Sequence, residues 1–175
     1  SHGAPQAWLL LLPALLLLIG FTHYPTVATL IDSFHSTPKG SRPGVWVGLE
    51  NYQVMVEDPV FWRAVRNNLW FAGATIPLSI GLALVMALWV NERIAGRAFL
   101  RMAYFTPTVL PMIAVANIWL FFYTPQYGLL EQITAAFGLP AHNWLGSPST
   151  ALGAVTVVAV WKEAGFFMIF YLAAL

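Results

Sequence analysis

The stretch ALGAVTVVAVWKEAGFFMIFYLAAL, from Ala151 to Leu175, places Lys162 and Glu163 halfway along a run otherwise apolar enough to cross a bilayer. A helix needs roughly 20 residues to cross a ~30 Å hydrocarbon layer, and this run meets that length. The charges are costly there. Insertion scales assign about 2.5 to 3.5 kcal/mol to each ionised residue at a helix centre, so the pair costs on the order of 5 to 7 kcal/mol. Leu152, Val155, Val157, Val158, Val160, Phe166, Phe167, Ile169, Phe170, Leu172 and Leu175 together return roughly 3 to 7 kcal/mol. The span is marginal alone, so it is expected inside a bundle, with its charges turned toward protein or water. Neighbouring residues on a helix diverge by about 100°, so Lys162 and Glu163 do not pair with each other, and each needs its own partner. Three readings are open for them: links between helices, the polar wall of a solute pathway, or a ligand contact.

Three further runs share this character, about residues 8–31, 69–90 and 99–123. The predicted class is therefore all-α, a polytopic integral membrane protein with about four transmembrane helices. Composition agrees, with 59% hydrophobic residues, 9% charged and a mean hydropathy of +0.70, against about 25% charged in soluble domains. The bilayer is the first partner. A net charge of +1 with scattered basic residues argues against nucleic acid. The chain has no cysteine, which removes thiolate chemistry, disulfides and Cys-based metal sites. The first run is longer than the apolar core of a signal peptide, so it is expected to be a permanent span.

Positive charge in short loops stays on the cytoplasmic side. Arg93, Arg97 and Arg101 follow the second run, whereas residues 124–150 hold no Lys or Arg. The 91–98 loop is thus expected to be cytoplasmic, and 32–68 and 124–150 to be outer segments, although Lys39, Arg42, Arg63 and Arg66 lie in the first of these. In that segment Asp58 can cap a helix that begins at Pro59, read as a short surface helix preceding the second span. Gly128 and Gly138 bracket a second short helix or an ordinary loop. Trp8, Trp62, Trp70, Trp89, Trp119, Tyr123 and Trp144 fall near span ends, as in an interfacial aromatic belt.

Gly73, Pro77 and Gly81 recur at helical spacing, so one face of the second span is expected to admit another helix closely. Pro107 and Pro111 remove backbone donors within the third span, which predicts either a packing kink or a broken helix beside a solute pathway. Asn117 in the same span is expected to hydrogen-bond across helices. No catalytic or metal site is expected. No His-Glu-x-x-His cluster occurs, since His2, His23, His35 and His142 fall at ends or in outer segments, and no nucleophile and base share a motif.

Several ordered motifs resemble the permease subunits of binding-protein-dependent ABC importers of the carbohydrate and glycerol-phosphate type. They begin with Gly48-Leu49-Glu50-Asn51-Tyr52, Asp58-Pro59, Phe61, Asn67 and Leu69. Arg97-Ala98-Phe99-Leu100-Arg101, Pro107, Trp119, Pro125-Gln126-Tyr127-Gly128-Leu129-Leu130 and Asn143-Trp144-Leu145 follow in the family's order. Trp161-Lys162 and Phe170-Tyr171-Leu172-Ala173-Ala174-Leu175 close the series, and the resemblance covers about residues 8 to 175. It implies part of a type I importer permease fold in a bacterial inner membrane, with a sugar, polyol or glycerol phosphate as solute. It also implies a second permease subunit, nucleotide-binding ATPase subunits and a periplasmic solute-binding protein as partners. No cofactor is expected on this chain, since ATP would be used by the partner subunit. In the family a Glu-Ala-Ala loop that docks the ATPase follows the position of Leu175, so the chain is expected to be the N-terminal portion of a permease. The competing expectation is a non-transporting membrane scaffold or assembly factor.

Overall fold

A computed structural model of the protein describes residues 3–38, 43–92 and 96–175. Lys39, Arg42 and Arg93, three of the charges used above to orient the loops, lie outside the described residues, as does His2. Among the described residues every regular element is helical. The helices are α1 (Gly3–Leu18), α2 (Tyr24–Asp32), α3 (Glu50–Glu57), α4 (Pro59–Asn91), α5 (Arg97–Val109), α6 (Met112–Tyr123), α7 (Leu129–Ala136) and α8 (Ala151–Ala174). They divide into two units, Ser1–Arg63 and Ala64–Leu175.

In the first unit α1 and α2 are joined by a π turn, Ile19–His23, and together carry the Leu-rich run as one candidate span. The His23 ring nitrogen Nδ1 sits 3.1 Å from the Leu18 carbonyl, which supplies a partner where the helical ladder is widened. None of the side chains of Trp8–Asp32 is buried, as suits a helix whose solvent is lipid. Beyond α2 the chain folds back through an isolated bridge between His35 and Trp46. Phe34 stacks on Trp46 at 5.4 Å and tilts against Tyr52 at 5.7 Å. The motif that contains Asn51 and Tyr52 closes this fold-back: Asn51 Nδ2 donates to the Ser33 and His35 carbonyls at 2.8 and 2.9 Å, and the Tyr52 and Ser33 hydroxyls share a 2.6 Å bond. Asn51→Ala is expected to cost about 1 kcal/mol, because the clasp is exposed and water replaces part of each bond. Hydrogen exchange at the Ser36 and Val47 amides, which pair with Val45 and Phe34, reads this out as a rise of about fivefold.

Two expectations need correction at α4. Asp58 does cap it, its Oδ1 accepting from the Val60 amide at 2.8 Å, but no separate surface helix forms. The helix that starts at Pro59 continues for 33 residues through the apolar run. No glycine or proline interrupts it before Gly73, and Asn68 turns its side chain back onto the Ala64 carbonyl at 2.9 Å, so nothing stops propagation. At 1.5 Å per residue such a helix is ~50 Å long, more than the hydrocarbon layer requires.

The second correction concerns the packing face. A Cβ at Gly73 or Gly81 would meet nothing within 4 Å, so among the described residues no helix approaches the Gly73-Pro77-Gly81 stripe. The buried stripe is Ser79, Ala83, Ala87 and Val90. Ala83, Ala87 and Val90 form a core with Met168 of α8, flanked by Met86, Leu100, Tyr104, Phe167, Tyr171 and Leu172. Arg101 Nη2 donates to the Val90 carbonyl at 3.3 Å and places a cation at the negative end of α4.

The third apolar run is two helices, α5 and α6, bent by 104° across Leu110 and Pro111. Pro107 is buried inside α5 without ending it. Pro111 does end it. It lacks the amide that would continue the ladder, and the residue before a proline is driven out of the helical region; Leu110 has φ −66° and ψ 135°.

The elbow between α5 and α6 and the polar centre of α8

Both arms of this elbow touch α8, at different heights. Tyr104 and Phe105 of α5 meet Gly165, where a Cβ would collide with the Tyr104 carbonyl and lie 3.1 Å from the Phe105 Cα. One turn further on, Lys162 and Thr108 bond each other twice: Lys162 Nζ donates to the Thr108 carbonyl at 3.2 Å, and Thr108 Oγ1 donates to the Lys162 carbonyl at 3.0 Å. On the α6 arm Trp119 meets Trp161 edge to face at 5.6 Å. At the end of that arm Tyr123 Oη donates to the Ala154 carbonyl at 3.1 Å. The elbow therefore descends α8 from Gly165 to Ala154 in the antiparallel sense. Val109, Met112 and Ile113 at its tip are exposed.

This geometry explains how α8 carries a charge at its centre. The carbonyls at the end of α5 have lost their intrahelical donors and hold the negative end of the helix dipole. The Lys162 ammonium supplies a donor and a positive charge to one of them. Glu163 is half-buried, diverges from Lys162 around α8, and takes no hydrogen bond from another described residue. Asn117 differs from expectation: its Nδ2 donates to the Ile113 carbonyl of its own helix at 2.9 Å, so it does not join helices among the described residues. The back-bond satisfies one of the amide's donors within its own helix. Pro111 sits at the start of α6, exposed, and Pro107 is buried within α5. The sequence-predicted residues Pro107, Pro111 and Lys162 thus gather at the elbow, whereas Asn117 and Glu163 make no contact with it that the structure records.

Thr108 is the member of this contact that sequence reasoning missed. Its hydroxyl and carbonyl look like those of any helical threonine, and the only signal was its place beside two prolines. The aromatic residues also do more than line an interface. Trp119 stacks on Tyr123 at 5.5 Å and touches Phe122 at 5.3 Å. With Leu130 and Ile133 of α7, Trp144, Thr150, and Gly153, Ala154 and Val157 of α8, they line a cavity of about 670 Å³. The indole N–H groups of Trp119 and Trp144 are buried without a partner among the described residues. The neighbouring α7 is held by the turn before it. Gln126 takes φ 71° there, its amide donates to a Glu131 carboxylate oxygen at 3.0 Å, and Gly128 donates to the Thr124 carbonyl at 2.8 Å. Among the described residues no group of His, Cys, Asp and Glu could hold a metal ion.

No family model matches the chain. It is 31% identical over 172 residues to the probable ABC transporter permease protein YurN of Bacillus subtilis, matching 96% of this chain and 59% of that protein. It is 32% identical over 172 residues to the trehalose/maltose transport system permease protein MalF of Thermococcus litoralis, matching 98% of this chain and 58% of that one. The chain thus spans about three-fifths of the length of these curated relatives. Among solved structures, a bacterial ABC transporter involved in import of the acidic polysaccharide alginate matches 97% of this chain and 57% of its own, with a TM-score of 0.82 and 23% identity. The same kind of transporter in complex with its alginate pentasaccharide-bound periplasmic protein matches with a TM-score of 0.81 and 22% identity. At that identity the likeness is one of fold.

Proposed function

Because the chain belongs to the permease proteins of sugar ABC transporters, we propose that it forms part of the passage by which such a transporter imports a sugar, a polyol or glycerol phosphate. The observation that carries this reading is the continuity of the match, which runs through every candidate span and the segments between them. In the proposed assembly the chain lies in a bacterial inner membrane beside a second permease. Nucleotide-binding subunits use ATP in that assembly. A periplasmic binding protein delivers solute to residues 32–68 and 124–150, a role supported by the periplasmic protein seen with one structural relative.

The elbow supports a four-span count. A re-entrant loop would return to the end of α8 from which it left, whereas Tyr104 lies against Gly165 and Tyr123 against Ala154. The pair reads as a single broken crossing, and such irregular backbone is tolerated at membrane depth only where protein or a water-filled cavity satisfies it. The centre of α8 then borders the passage, with Lys162 committed to the elbow and Glu163 beside it.

Uptake tests the proposal. Deleting the chromosomal gene and following labelled trehalose, maltose, lactose, xylose and glycerol 3-phosphate is expected to abolish entry of at least one, with recovery from the intact gene. Unchanged uptake of all of them, with neither an ATPase nor a binding protein recovered in a pull-down, would favour the membrane scaffold instead.

A further inference from the structure

We propose that Lys162 is the cap that sets the angle between α5 and α6, so that the one cation at the centre of α8 serves the fold of the elbow and not the grip on a solute. The argument starts at Pro111. Its missing amide and the extended Leu110 leave the last carbonyls of α5 without the donors a continuing helix would provide. An unpaired carbonyl at membrane depth has no water to turn to and costs several kcal/mol. Straightening the elbow would restore part of the ladder, and so a bent state needs a replacement donor. Lys162 Nζ is that donor, at 3.2 Å from the Thr108 carbonyl.

The return bond fixes the direction of approach. Thr108 Oγ1 donates to the Lys162 carbonyl at 3.0 Å, so the last turn of α5 is tied to one residue of α8 at two points. Gly165, one turn away, brings the two backbones close enough for a lysine to reach across. Beyond Thr108 the chain turns at Leu110 and Pro111, Val115 of α6 is buried again, and Trp119 meets Trp161. Val109, Met112 and Ile113 project at the tip of the elbow, and among the described residues the last hydrogen bonds that tie α5 to α8 before it are the Lys162–Thr108 pair. A charge that is costly to place at membrane depth is thereby matched to a carbonyl carrying the negative end of a helix dipole.

The absence of cysteine makes a direct test practical, since introduced thiols are the only ones present. Spin labels at Met102 and Phe121, both exposed, report the distance between the arms of the elbow in the whole chain reconstituted in lipid nanodiscs. Labels at Phe99 and Phe170, also exposed, report the α5–α8 pair. Lys162→Met is expected to broaden the first distribution and move it outward by about one helical turn, ~5 Å, while the second stays in place. Should Lys162→Met fail to insert, Lys162→Asn, polar but too short to reach the Thr108 carbonyl, is read in the same way. A first distribution that matches the unsubstituted chain overturns the proposal. So does loss of both distances together in either variant, because Lys162 would then hold the helix pair and not the elbow.

Discussion

Replacing Gly165 with leucine is expected to lower the unfolding free energy by about 3 kcal/mol, at the upper end of the usual range for overpacking. The cost follows from what surrounds the missing side chain. A Cβ there would collide with the Tyr104 carbonyl and lie 3.1 Å from the Phe105 Cα, and neither is a side chain that can swing aside. The α5 backbone must move off α8 as a body. Helix association in lipid draws on close packing and hydrogen bonds, because the lipid tails are as apolar as the helices, so lost contact is not recovered by burial elsewhere. The Lys162–Thr108 pair lies one turn away and would open with the same movement. A denaturant titration in mixed micelles measures the loss. Gly153→Ala is the control in the same helix: a Cβ there meets nothing within 4 Å, and alanine is the better helix former, so that variant is expected to be neutral or slightly more stable. Equal midpoints for Gly165→Leu and the unsubstituted chain would refute the close approach of α5 to α8.

The second large effect is expected at Gly128. A Cβ at this position would lie 2.5 Å from the carbonyl oxygens of Phe122 and Thr124 and 2.9 Å from the Thr124 nitrogen. All three atoms are backbone, and the Gly128 amide donates to one of those carbonyls at 2.8 Å, so the turn cannot widen without losing the bond that closes it. Gly128→Val is expected to cost about 2 kcal/mol, concentrated in the passage from α6 to α7. Exchange of the α7 amides should then accelerate by roughly thirtyfold while the amides of α4 keep their rates. A uniform acceleration through both helices would mean that the turn supports the whole bundle and not α7 alone. Either way, the Pro125-to-Leu130 motif has a physical reason for its glycine: the turn leaves no room for a side chain.

Much of this architecture is legible because membrane spans are written in local sequence. The apolar runs, the Asp58 cap, the proline at the bend and the glycines around α7 each act within one or two turns of their own position. What could not be read depends on choices made between distant elements. The second span carries two stripes of small residues, Gly73-Pro77-Gly81 and Ser79-Ala83-Ala87, offset by two positions and so about 200° apart around the helix. Composition alone does not say which one meets a neighbour, and Met168, far along the chain, decides it. The same applies to Lys162, whose partner stands 54 residues away and is a backbone carbonyl, a group every residue has. The prolines predicted that something would be freed at the elbow without naming the donor. Asn117 misled for a related reason: a polar side chain in lipid must bond something, and the carbonyl one turn back was as near as another helix.

The direction in which the elbow travels also bears on a question of parity. If α5 and α6 make one passage through the bilayer, then that passage and α8 together return the chain to the face where α4 ended. The connection between Asn91 and Arg97 and the far end of α8 at Ala174 therefore share a compartment, and a probe attached to either would be shielded or labelled together with the other. Had the elbow turned back on itself, the two would face opposite compartments. The sidedness of the far end of α8 thus hangs on a bend of two residues, Leu110 and Pro111.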